Sequence, residues 1–98
     1  MTELEQVVEA VRSAGFVARI SPWKKNSVAG GIKEVATEED VLLAEHPFLL
    51  SLEPSGWTLR TTHAGLGELE THYATRTDAV DGLLRVLREK SRELQRPR

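Results

Sequence analysis

Residues 48–73 constrain the fold more than any other part of the chain. Phe48 to Glu53 is a short apolar run closed by Pro54-Ser55-Gly56, a turn signal. Trp57 to His63 then alternates, with Trp57, Leu59 and Thr61 on one face and Thr58, Arg60 and Thr62 on the other. A second turn at Ala64-Gly65-Leu66-Gly67 leads into Leu69, Thr71 and Tyr73, set against Glu68, Glu70 and His72. Strands joined by turns this short run antiparallel, because a parallel pair needs a long crossover. The result is a meander with one apolar and one polar face. Its apolar face needs a cover, and the rest of the chain has to provide one.

Two helices, one at each end, meet that need. Thr2 stands three residues before Glu5, the spacing of a capping box. Leu4, Val7, Val8 and Val11 follow at i, i+3, i+4 and i+7, and Gly15 supplies the left-handed residue that closes a helix. Near the other end, Thr75 or Thr77 caps a long helix whose stripe is Val80, Leu83, Leu84, Leu87 and Leu94. Gly82 inside that helix costs about 1 kcal/mol relative to alanine, which suggests close approach to the sheet. Arg96-Pro97-Arg98 is expected to fray.

The stretch between the first helix and the meander is less decided. Phe16 to Ile20 reads as a strand with Phe16, Ala18 and Ile20 on one face, ended by Pro22. Gly30-Gly31 reads as a hairpin turn between Val28 and Ile32, although two glycines also suit a mobile loop over 22–34. Thr37-Glu38-Glu39-Asp40 resembles a helix start, and Val41 to Ala44 continues it until Pro47. Periodicity cannot separate helix from strand over so few residues, and the crowding of acids at the start favours a short helix over 38–45. The expected architecture is therefore one α+β domain over residues 1–98. It is a two-layer sandwich with both terminal helices on one face of an antiparallel sheet of four or five strands.

Composition narrows the function classes. The chain has no cysteine, which removes disulfides, thiolate nucleophiles and cysteine-based metal sites. No apolar run approaches the ~18 residues of a membrane span, and the start Met1-Thr2-Glu3 is too acidic for a signal peptide, so a cytoplasmic protein is expected. Net charge is −2, so no global field draws it to nucleic acid or membranes. Charge is nonetheless segregated. Glu34, Glu38, Glu39, Asp40, Glu45 and Glu53 fall in a stretch without Lys or Arg, and basic residues dominate from Arg76 onward.

Motifs for catalysis are missing: no phosphate loop, nucleotide-binding glycine fingerprint, nucleophile elbow or zinc-protease motif occurs. His46 precedes a proline, and His63 and His72 flank one hairpin without a third ligand of known position. Glu68, Glu70 and His72 share a strand face on which a base can sit beside a carboxylate, but an ordinary polar sheet face looks the same. No catalytic residue, metal or cofactor is therefore assigned.

What remains points to binding. The leading expectation is a non-enzymatic interaction or regulatory module, acting on another protein or on a second copy of itself. Its candidate residues are Trp23 in a loop, the acids Glu38, Glu39 and Asp40, and Arg60 and His72 on the open sheet face. The alternative is a nucleic-acid-binding domain. It would use Trp23, Lys24 and Lys25 together with Arg85, Arg88 and Arg92, which recur at helical spacing. The commoner meaning of such an arginine row is a solvated face laced with ion pairs such as Asp81 to Arg85.

Overall fold

The computed structural model describes residues 2–21, 24–32, 34–38, 41–44, 47–63 and 67–95, of which 34–38, 41–44, 62–63, 67–68 and 93–95 are described as backbone alone. The elements run α1 (Glu3–Ser13), β1 (Val17–Ile20), β2 (Ser27–Gly31), β3 (Glu34–Glu38), β4 (Val41–Ala44), β5 (Phe48–Glu53), β6 (Gly56–His63), β7 (Gly67–Tyr73) and α2 (Arg76–Gln95). Five strands form one open antiparallel sheet in the order β1-β2-β5-β6-β7, and β3 and β4 pair separately. Both helices pack on one face of the five-stranded sheet, so the chain is an α+β sandwich.

The capping signals at the helix ends are met. The Thr2 Oγ1 accepts a hydrogen bond from the Glu5 amide at 3.2 Å, and the Thr75 Oγ1 accepts one from the Asp78 amide at 3.1 Å. α1 ends in a Schellman arrangement. Gly15 takes φ +92°, its amide donates to the Arg12 carbonyl, and the Phe16 amide donates to the Val11 carbonyl. Phe16 is therefore used in the helix end, and β1 starts one residue later, at Val17.

The core lies between the helices and the apolar rows of the sheet. Val28, Leu50 and Leu59 are cross-strand neighbours at one level, and all three are buried. Val7 and Val11 of α1 and Ala79, Leu83 and Leu87 of α2 close over them, with Trp57 at one end and Phe48 at the other. Burying each of these larger side chains contributes about 1.5–3 kcal/mol.

Two expectations for the middle of the chain are corrected. The first is the hairpin turn at Gly30-Gly31. Both glycines lie inside β2, with Gly30 paired to Ala18 on one side and Phe48 on the other. The turn falls earlier, at Lys24-Lys25-Asn26, where Asn26 takes φ +56° and the Ser21 amide donates to the Ser27 carbonyl. Asparagine tolerates the left-handed region, so it does here what glycine was expected to do. Gly30 has a different role, because a Cβ there would run into the backbone of Val17 and Ala18. The missing side chain allows β1 to close over β2.

The second correction is the short helix over 38–45. Residues 34–38 and 41–44 form the two strands of a hairpin, with a register irregularity between Glu34 and Ala36. A four-residue apolar run is too short to offset the nucleation of an isolated helical turn. The β-branched Val35 and Thr37 lie in the strand that pairs with it. This hairpin is inserted in the connection between β2 and β5, which are themselves neighbours in the main sheet.

Gly82 behaves as its cost suggests. A Cβ at this position would overlap the ring end of Tyr73 on β7, so the glycine seats α2 against the last strand. Two substitutions test these glycines in urea unfolding. Gly30→Ala is expected to destabilise by about 1–3 kcal/mol through overpacking against backbone that cannot move aside. Gly82→Ala is expected to lower stability in the native background but to raise it by about 1 kcal/mol in a Tyr73→Ala background, where only the helix preference remains. Equal effects in both backgrounds would disprove the Tyr73 contact.

Candidate binding surface

The sheet face away from the helices carries Arg60, Glu70, Thr58 and His72, as the alternation predicted, and it is open only in part: Glu70 and His72 are exposed, but Thr58 is buried. Ser27, Ser51 and Thr58 form a continuous cross-strand row with His72, and the first three are buried, Thr58 with 4% of its surface exposed. The Ser27 and Ser51 hydroxyls lie 2.8 Å apart, and Ser27 Oγ donates to the Lys25 carbonyl at 3.2 Å. Ser51 is therefore the donor within the pair. No buried side-chain nitrogen or oxygen among the described residues lacks a partner.

His72 ends this row, and both its ring nitrogens are engaged. Nε2 lies 3.2 Å from the Ser55 carbonyl oxygen, and Nδ1 lies 3.3 Å from Thr58 Oγ1. A carbonyl only accepts, so Nε2 carries a proton, and Nδ1 shares a hydrogen bond with the Thr58 hydroxyl. Beside it, the Arg60 Nε donates to Glu70 Oε2 at 3.1 Å. His72 is thus held by Thr58 and the Ser55 carbonyl, and Glu70 is held separately by Arg60. No group of three metal-ligating side chains occurs among the described residues. His46 lies outside the described residues, as do the side chains of His63 and Glu68.

The remaining candidates fall out unevenly. Trp23, Glu39 and Asp40 lie outside the described residues, and Glu38 is described only as the last backbone position of β3. Arg60 and His72 are the only two members of the protein-binding set whose side chains are described, and both are held by neighbours. The nucleic-acid set is split. Lys24 and Lys25 are exposed in the β1–β2 turn, next to Asn26, whose carbonyl bonds the Leu52 amide. Leu52 pairs with Trp57, and Trp57 with Tyr73, so this turn lies at the end of the sheet where α2 begins. Arg92 is sixteen residues along α2 from Arg76, about 24 Å away at 1.5 Å per residue. The two basic features therefore occupy opposite ends of the fold.

Arg85, Arg88 and Arg92 themselves do form a surface. They follow at i, i+3 and i+7, which places them on one side of α2, away from buried Ala79, Leu83 and Leu87. All three are exposed, and none forms a hydrogen bond or ion pair with another described residue. The expected Asp81–Arg85 pair is absent. A shallow groove of about 460 Å³ runs along the row, lined by Asp81, Leu84, Arg85, Arg88 and Arg92. It is continued by a second depression of about 480 Å³ where Phe16, at the end of α1, meets Arg88, Ser91 and Arg92. Half-buried Leu84 and Phe16 give the arginine row an apolar border that sequence reasoning had not connected to it.

We find no match to this chain among protein-family models, curated proteins or solved structures. Among the described residues no helix is long and apolar enough to cross a membrane.

The buried row and the exposed pair should respond differently to mutation. Thr58→Val keeps the shape and removes the hydroxyl, and is expected to cost about 1 kcal/mol. Arg60→Ala removes a pair of which Glu70 is 61% exposed, and is expected to cost well under about 1 kcal/mol. Chemical denaturation of both variants checks the order; a larger loss for Arg60→Ala would show that the sheet face is held by charge.

Proposed function

We propose that this chain is a non-enzymatic protein-binding module, acting in the cytoplasm, and that the arginine face of α2 is its working surface. The observation that carries this reading is the row Arg85, Arg88 and Arg92, exposed and without described partners along a groove bordered by Leu84 and Phe16. Arginine beside apolar surface is the composition favoured at the centre of protein interfaces, because the guanidinium combines bidentate hydrogen bonding with a flat stacking surface. The partner that fits is an acidic protein surface bearing an apolar side chain for the groove. A binding role is supported over a catalytic one because Glu70 is taken up by Arg60 and not by His72, which is held by Thr58 and the Ser55 carbonyl.

The same row supports a second reading, contact with a nucleic-acid backbone, since three guanidinium groups on one helix side can follow phosphates. Two observations favour protein. Asp81 lies in the same groove, and Lys24 and Lys25 lie at the far end of the fold and add nothing to the row.

The test compares the native chain with an Arg85→Glu, Arg88→Glu, Arg92→Glu variant in affinity capture, with and without nuclease. The reading expects a defined protein partner retained after nuclease and weakened at least about tenfold by the variant, two orders of contact energy being available from buried arginine anchors. Stability should stay within about 0.5 kcal/mol, because the positions are exposed. Capture that disappears with nuclease and falls steeply with salt would transfer the surface to nucleic acid. Capture indifferent to the triple reversal would remove it from α2 altogether.

A further inference from the structure

The two edges of the sheet are finished differently. β1 forms one edge, and the Ser21 amide bonds the Ser27 carbonyl, so by alternation the Ala18 main-chain groups face outward. The Arg12 Nε donates to the Ala18 carbonyl at 2.9 Å, so a side chain of α1 caps that edge. β7 forms the other edge. Its seven residues contain no proline, lysine or arginine, and its only charged residues are Glu68 and Glu70. Leu69 on this strand is 46% exposed, and together with Ile20 on β1 it is a large apolar residue left in water.

Hydrogen-bond alternation fixes what β7 offers. The Leu52 amide donates to Asn26 on the β2 side, so the Leu52–Trp57 pair is not hydrogen-bonded and Trp57 faces β7. Tyr73, Thr71 and Leu69 then bond to β6, and the main-chain groups of Glu68, Glu70 and His72 point away from the sheet.

We infer that a second copy of this chain pairs with β7, antiparallel across a two-fold axis at Thr71, to make one continuous ten-stranded sheet. Avoidance of acid set against acid, and cover for Leu69, select that register. With the axis at Thr71, Glu70 stands opposite the partner's His72 twice over, and Leu69 stands opposite the partner's Tyr73, which covers it. An axis at Glu70 or Leu69 sets acid directly against acid, which is destabilising. An axis at His72 puts Leu69 beyond the end of the partner strand. The pairing is a self-complementary two-fold contact, the commonest kind in small homo-oligomers. The arginine row lies on the side of α2 turned away from the sheet and stays free in such a dimer, so this inference does not rest on the function proposed above.

The absence of cysteine makes a direct test available. In a Thr71→Cys variant the two thiols face each other across the axis in a non-hydrogen-bonded pair, where Cα atoms lie about 4.5 Å apart, within reach of a disulfide. Mild oxidation is expected to convert it almost fully to a covalent dimer, while a Glu9→Cys control on α1 stays largely monomeric. Sedimentation of the native chain is expected to give twice the 10.9 kDa chain mass, and Leu69→Lys to return it to one chain with an unchanged circular dichroism spectrum. Should Leu69→Lys fail to fold, the cross-linking comparison decides. A native chain that sediments as a monomer at tens of micromolar, or a Thr71→Cys variant that cross-links no faster than the control, overturns the inference.

Discussion

The row Val28–Leu50–Leu59 holds the molecule together. These three side chains cross the middle of the sheet at one level, and both helices meet over them, α1 through Val7 and Val11 and α2 through Leu83 and Leu87. Neither helix has an apolar stripe wide enough to be buried alone, and the sheet has one face that cannot remain in water. Each layer is therefore the condition for the other. The ion pair between Arg76 and Glu3, at 3.8 Å and partly exposed, ties the helix starts together but adds little beside that burial. Close approach at two glycines completes the arrangement. Gly30 lets β1 close over β2, and Gly82 lets α2 lie against Tyr73.

Elements governed by local rules were legible in the sequence. The caps at Thr2 and Thr75, the left-handed Gly15 and the meander from Phe48 to Tyr73 depend on neighbours within a few residues, and periodicity and turn chemistry report those neighbours. The two misread segments are those whose state is set from outside. Gly30 and Gly31 looked like a turn because glycine's conformational freedom is its local signature. What matters at Gly30 is a contact with Val17 and Ala18, more than ten residues earlier. Residues 38–45 looked like a helix start because acids crowd there, but a strand partner at 34–38 decided otherwise. The Lys24-Lys25-Asn26 turn carried its own signal, an asparagine, and was overshadowed by the glycine pair.

The candidate surfaces divide in the same way. The arginine row was visible from helical spacing alone, because i, i+3 and i+7 imply one side of a helix before any tertiary contact is known. Its apolar border was not, because Phe16 is seventy-two residues from Arg88 in sequence and meets it only once the two helices lie side by side. The buried part of the polar sheet face is hidden in the sequence for a related reason. Ser27, Ser51 and Thr58 are each unremarkable in the sequence, and only the register of four strands brings these buried residues into one row with His72.

A chain of net charge −2 can still present a cationic surface to a partner. At physiological ionic strength the Debye length is about 8 Å. Arg85 to Arg92 spans seven residues of helix, about 10.5 Å, so a partner docked on this row senses all three guanidinium groups within one or two screening lengths. The acids of the far α1 start, Glu3 and Glu5, lie at the opposite end of the helix layer and are screened from it. Binding is then governed by the local arrangement, and the global balance acts mainly on solubility. The apolar border sharpens the choice of partner further. An acidic surface without an apolar side chain would leave Leu84 and Phe16 wet, while one that fills the groove excludes water from the arginines and strengthens each contact they make.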